Sequence, residues 1–260
     1  MKIICPVCKN ELIKIDKQYV CSNRHSYDIA KEGYVNLNLK SSTNTGDEKE
    51  MIKARKSFLE KDYYKFLKDE LIGIIKENNP DNMIDLACGE GYYTKDFPVT
   101  EKIGIDLSKE ALKLASKTDK STRYILKNIF DIPFVDSSID LVTTIFAPIS
   151  TEINRVLKNN GYFILVKPDI YHLYELKEVI YDNPYVNEVE KIKINGLKLI
   201  KEKQINNKVL LNNEDLINLF KMTPYYHKTS PADINKLNNI NELSVSFSFI
   251  IDIYKKDVTM

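Results

Sequence analysis

The sequence predicts an α/β fold: a Rossmann-like sheet that takes up most of the chain, preceded by a small metal-binding module. Three observations carry this expectation. Short apolar runs bounded by turn residues alternate with helical stretches from residue 83 to residue 166, the pattern of a parallel sheet covered on both faces. A turn, Gly89-Glu90-Gly91, follows the first of these runs, and a carboxylate, Asp106, closes the second. Three of the four cysteines fall in the first 21 residues, in a C-x2-C and C-x3-H pattern completed by His25.

The elements follow in order. Residues 1–40 form a first unit, in which Met1 to Val20 reads as short strand-like runs around a Cys-rich turn. Residues 41–80 hold a linker and helices. Ser41 to Asp47 is polar and turn-rich, and Glu48 to Asn78 has helical periodicity, with Leu67, Leu71, Ile74 and Ile75 on one face. Asn78-Asn79-Pro80 stops that run. Residues 81–260 form the main domain. Strands are predicted at Met83–Ala87, Lys102–Asp106, Tyr124–Leu126, Leu141–Ile145 and Tyr162–Val166. Helices are predicted at Lys109–Lys117 and Thr151–Leu157, with a turn at Asn159-Asn160-Gly161. Leu243 to Tyr254, alternating and β-branched, reads as a long final strand.

Composition narrows the function classes. At 43% hydrophobic and 29% charged residues the chain can bury a core and keep a polar surface, and no apolar run reaches the ~20 residues of a membrane span. The start Met1-Lys2-Ile3-Ile4 runs into Cys5 without an export signal, which predicts a cytoplasmic protein. The net charge of +1 does not announce a nucleic-acid binder, although a local basic face fits on a neutral chain.

Cys5, Cys8, Cys21 and His25 offer four N/S ligands in two close pairs, the set that suits one tetrahedral, structural zinc ion. A unit of about 40 residues buries little core, so the metal would supply much of its folding free energy. A coincidence of two unrelated close pairs, or a redox pair, is the alternative for these cysteines, and Cys88 reads as a small core residue.

Asp85-Leu86-Ala87-Cys88-Gly89-Glu90-Gly91 sits where a first strand would end. Glycines there let a nucleotide-like cofactor approach the main chain, and Asp106 is placed to accept hydrogen bonds from ribose hydroxyls. NAD and S-adenosylmethionine both use this geometry. Tyr92-Tyr93-Thr94 follows Gly91, so the third glycine of GxGxxG is missing, and Asp85 precedes the turn; both favour S-adenosylmethionine and a class I methyltransferase sheet. A nucleotide-free domain whose glycines only make a turn is the remaining alternative.

With these residues in place, the chain resembles the RlmA family of bacterial 23S rRNA guanine-N1 methyltransferases, which includes macrolide-resistance members. The likeness rests on the cysteine module, Ala30 to Leu37, Gly46-Asp47, Met51 to Leu59, Cys88 to Thr94, Phe146-Ala147-Pro148, His172 to Lys177 and Met222-Thr223-Pro224. It implies zinc on Cys5, Cys8, Cys21 and His25. It places S-adenosylmethionine against Gly89, Gly91 and Tyr92 at the methionine end and Asp106 at the ribose, with Tyr64 and His172 nearby. Read from the residues alone, Tyr64 is a packing tyrosine and His172 a surface or cap histidine. Ala87 departs from the usual glycine, and its small side chain is expected to leave binding intact. The resemblance also implies a 23S rRNA stem-loop as substrate and a homodimer that grips it.

Guanine N1 carries a proton and sits on the Watson–Crick edge, so the target must be unpaired or flipped out, and either a base removes that proton or the enolate-like form is stabilised as it develops. Asp169, just past the fifth strand, is the candidate base by position, with a helix N-cap near Tyr171 as the other reading. Phe146, Tyr92 and Tyr93 are candidates to stack on a base or to pack in the core. Lys9, Lys14, Lys17, Arg24 and Lys31 give the N-terminal module a basic surplus suited to phosphates, with Lys53, Arg55 and Lys56 adding a cluster near the linker. Two alternatives stay open: methylation of a small molecule or protein, and a zinc-ribbon RNA-binding protein with a vestigial cofactor domain.

Overall fold

The structure, a computed structural model, describes residues 1–39 and 49–257; the Ser41–Asp47 linker lies outside the described residues. Three short strands, β1 (Leu12–Ile15), β2 (Gln18–Cys21) and β3 (Ser26–Asp28), form a small antiparallel sheet. Then come β4 (Val35–Asn36), α1 (Lys49–Leu59) and α2 (Lys65–Asn78). The predicted helical run is broken because Asp62 takes φ +62° and Tyr64 turns its ring into the core, 3% exposed. Asn79 then closes α2 in the left-handed region, its N–H bonded to the Ile75 carbonyl.

The main domain continues with β5 (Asn82–Leu86), β6 (Glu101–Asp106), α3 (Lys109–Thr118), β7 (Arg123–Leu126), β8 (Ile139–Ile145) and α4 (Ile153–Val156). After these come β9 (Leu157–Pro168), α5 (Tyr174–Ile180), β10 (Leu197–Asn212), α6 (Asn213–Lys221), α7 (Pro231–Asn235) and β11 (Glu242–Lys256). The eight-stranded sheet has the order β10-β11-β9-β8-β5-β6-β7-β4. The strands from β4 to β9 are parallel, while β11 runs antiparallel to β9 and β10 antiparallel to β11. Three features depart from the sequence expectation. β10 is an additional strand, the Asn159-Asn160-Gly161 stretch lies within β9, and Val35–Asn36 crosses from the N-terminal unit into the main sheet.

Side chains alternate along the strands, so Met83 faces one core layer and Ile84 and Leu86 the other. The first layer holds Phe58, Leu67, Leu71, Phe220, Phe247 and Phe249. The second joins Ile103, Ile105, Val142 and Phe134 to Ile3, Leu12 and Tyr19 of the N-terminal unit, which therefore shares its core with the large sheet. Strand order reverses at β5, which lies between β6 and β8. In a parallel sheet this reversal opens a crevice beyond the carboxyl ends of the strands. Among the described residues no helix is long and apolar enough to cross a membrane.

Candidate active site and metal centre

The crevice at the end of β5 is a cavity of about 880 Å³. Its floor is the turn after β5. Ala87 has φ +59° and Gly89 φ +58°, so the alanine occupies a left-handed position that favours glycine, which explains the usual residue there. Asp106 organises the turn: one carboxylate oxygen accepts the Gly89 N–H at 2.8 Å and the other the Ser108 N–H at 2.7 Å. Ser108 caps α3 by accepting from the Ala111 N–H. Asp85 lies beneath, 2% exposed, accepting the hydroxyls of Thr94 and of Thr143 (2.7 Å). Burial pushes its carboxyl up to about 6, against those two donors.

Tyr64, Asp85, Gly89, Tyr92, Asp106 and His172 all line this cavity, so the fold brings together residues spread over more than 100 positions. Tyr64 packs edge-on against Phe247 and Phe249, with centroids at 4.9 and 5.1 Å. His172 is 8% exposed, and its Nδ1 accepts the Ser248 N–H at 3.3 Å, so the ring proton resides on Nε2. Burial and the nearby Lys177 hold this imidazole down at about 3, leaving it neutral. The Tyr92 ring lies under the Lys68 ammonium, 4.0 Å away.

Gly91 and Asp169 are not in the lining. Gly91 has φ +78°, and a Cβ there would meet the Tyr124 hydroxyl at 2.6 Å, so its small size serves packing against β7. Asp169 accepts the Ser248 hydroxyl at 2.9 Å, the Gln204 amide and the Ile170 N–H. Burial raises its carboxyl, but these donors outweigh it and hold it below the ordinary value. Such a carboxylate is a weak base, and α5 begins only at Tyr174, so the geometry supports neither the base nor the N-cap reading.

Other lining residues lie outside the motifs of the sequence. Asn128, Ile129 and Phe130 follow β7, and Ile192 enters from a segment without regular structure. The first three stand just past a parallel strand's carboxyl end, where ligand contacts collect, and that position was the available clue. Phe146, 41% exposed with φ +56°, overhangs the cavity beside Phe249.

The ligand atoms of Cys5, Cys8, Cys21 and His25 lie within 4.8 Å of one another. Cys8 and Cys21 sulfurs are 3.6 Å apart, and His25 Nδ1 is 3.5 Å from Cys5 Sγ and 3.4 Å from Cys21 Sγ. A tetrahedral ion with Zn–S near 2.3 Å requires S···S edges of about 3.8 Å, so the donor set fits zinc. Two similar turns build it, with Lys9 N–H bonded to the Cys5 carbonyl, Arg24 N–H to the Cys21 carbonyl, and both residues at φ +62°. Burial raises the Cys5 thiol, but the Tyr27 hydroxyl at 3.2 Å and the Cys8 and Val7 amides outweigh it and hold it at about 6, ready to ligate as thiolate. Four protein ligands close the site, which makes it structural.

The comparisons with known proteins agree with this geometry. The family described as "RlmA, N-terminal" matches residues 3–39, and "Methyltransferase domain" matches residues 77–222. The chain is 28% identical over 186 residues to the "23S rRNA (guanine(748)-N(1))-methyltransferase" of Streptomyces fradiae, covering 68% of this chain and 66% of that one. It is 31% identical over 196 residues to the "Putative 23S rRNA (guanine-N(1)-)-methyltransferase YxjB" of Bacillus subtilis, covering 69% of each. The matches thus span about two thirds of these relatives' lengths. A zinc-ligating N-terminal unit joined to an S-adenosylmethionine-dependent methyltransferase domain places the chain in the RlmA family of 23S rRNA (guanine-N1-)-methyltransferases.

Proposed function

We propose that the chain transfers a methyl group from S-adenosylmethionine to N1 of a guanine in a 23S rRNA stem-loop, in the cytoplasm, as a homodimer whose residues 1–40 grip the RNA. One observation carries this reading. A single cavity of about 880 Å³ is lined both by the glycine turn that Asp106 holds and by Phe146, Phe130, Pro224 and Tyr225. That volume lies at the upper end of small-molecule sites, room for a nucleoside donor with a base beside it.

Donor binding is assigned to the Gly89 main chain, Asp106 at the ribose, and Tyr64, Asp85, Tyr92 and His172 around them; Gly91 shapes the turn through its fit to Tyr124. When bound, S-adenosylmethionine supplies an electrophilic methyl, and the chain's main task is in-line positioning. Phe146, exposed and in a left-handed conformation on a bulky residue, presents a stacking face for the flipped guanine. Neutral His172 has one donor, Nε2–H, and acts as an orienting group rather than a base. Asp169 acts through Ser248, which bonds both its carboxylate and His172 Nδ1. Lys14, Lys17, Arg24 and Lys31 are exposed on the zinc unit and suited to phosphates. The homodimer rests on the family resemblance.

N1 methylation blocks pairing, so primer extension on 23S rRNA should stop at one guanine in the wild-type strain and read through in a deletion strain. The purified protein should restore that stop on protein-free RNA. An identical stop pattern in both strains overturns the RNA assignment.

A further inference from the structure

We propose that Arg55 and Tyr93 form a clamp for the carboxylate of the donor's methionine end. This rests on reading the cavity as an S-adenosylmethionine site. Arg55 stands on α1, whose buried residues Ile52, Ala54, Phe58 and Leu59 fix the helix in the core. Its guanidinium reaches over the glycine turn, with Nη1 3.4 Å from where a Cβ on Gly89 would lie, and it lines the cavity. The guanidinium thus stands in contact distance of the turn, where Gly89 at φ +58° keeps the main chain bare.

Tyr93 supplies an independent observation. Its hydroxyl is buried in the same cavity wall and has no hydrogen-bond partner among the described residues. A buried hydroxyl left unpaired is costly, and native structures usually satisfy it with protein, water or ligand. An oxygen held by Arg55 would do so. The neighbourhood also discriminates between anions. Glu90 lies 3.8 Å from Arg55, its side chain 9% exposed, so opposite charges stand side by side. That pairing matches an α-amino carboxylate, which carries both signs, and opposes an RNA phosphate, which carries one. Asp106 bonds the Gly89 N–H at 2.8 Å, so one turn links the ribose end to the carboxylate end.

The test is isothermal titration of the full-length protein with S-adenosylhomocysteine and with its decarboxylated analogue, 5′-deoxy-5′-(3-aminopropylthio)adenosine. The wild type should prefer the carboxylate-bearing ligand by about 10- to 100-fold, the span of charge-assisted hydrogen bonds. Arg55→Gln should reduce this preference to about threefold or less, while the analogue binds as before to within about threefold. Tyr93→Phe should reduce it by a smaller factor, and Arg55→Lys should recover part. A preference unchanged in Arg55→Gln overturns the clamp. So does an equal loss of both ligands, which marks a structural role, and so does a selective loss of RNA binding, which marks a phosphate contact. A wild type that binds neither adenosine compound overturns the donor reading itself.

Discussion

At the scale of single residues, two buried groups give the site an acid response of opposite signs. His172 titrates at about 3 when folded against 6.5 when free, because burial disfavours its charged form. A folded value below the unfolded one means that its contribution to stability is complete above pH 6.5 and is lost as pH falls toward 3, at about 1.4 kcal/mol per pH unit. Asp85 is raised from 3.8 to about 6, so its contribution is complete below pH 3.8 and is lost as pH rises through 6. Between about pH 4 and 6 the two slopes oppose each other. His172→Gln should therefore gain on the wild type by about 1.4 kcal/mol per pH unit below 6.5 in urea unfolding. Parallel stability profiles for the two proteins would contradict the buried neutral imidazole. Asp106 makes a second case. Each of its carboxylate oxygens already accepts a main-chain amide, so it shapes the turn as well as facing the cavity. Asp106→Ala should weaken S-adenosylhomocysteine binding about 10- to 100-fold by calorimetry, and a change of threefold or less would remove it from the ribose role.

At the scale of elements, what the sequence made legible was whatever obeys local rules. The strands β5 to β8 lie within two residues of their expected positions because each is a short apolar run between turn residues, and α3 starts at Lys109 as expected, with Ser108 as its cap. The metal centre was legible for the same reason, since two close ligand pairs declare themselves by spacing. β10 was not. Its sixteen residues, rich in Lys and Asn and mostly exposed, form an edge strand that pairs, among the described residues, with β11 alone, some 30 to 60 positions away. The site was half legible. Asp106 and Gly89 stand on the local turn, but Ile192 reaches the cavity through tertiary folding alone, and at Gly91 the structure shows a close fit against Tyr124. The zinc element carries its own prediction. One equivalent of zinc should be released to a chromogenic chelator. Its removal should lower the unfolding midpoint by roughly 10 °C, because a shared core layer loses the clamp that positions Leu12 and Tyr19. An unchanged midpoint after full removal would show that the hairpins hold without metal.

At the scale of the whole molecule, the two units fold as one, with consequences for donor binding. Val35 and Asn36 pair in parallel with Ile125 and Leu126, and the Leu37 N–H continues the ladder to the Leu126 carbonyl. Ile4 N–H bonds the Pro133 carbonyl, and Ile3 is 2% exposed against the layer that includes Phe134. Tyr34 packs with Leu112, Ala115 and Tyr124, and the Tyr124 hydroxyl is the atom against which Gly91 fits. A continuous path of packed side chains thus runs from the zinc-ligating unit to the cofactor turn. A chain beginning at Lys49 would uncover Ile125 and Phe134 and remove the support behind Tyr124. It should unfold at a markedly lower temperature and bind S-adenosylhomocysteine at least about tenfold more weakly than the full chain, a loss of ~1.4 kcal/mol or more. An independent appendage would instead leave the affinity untouched. Titration of the truncated chain at a temperature where circular dichroism shows it folded separates the two cases, because loss of fold and loss of turn geometry are then read by different instruments.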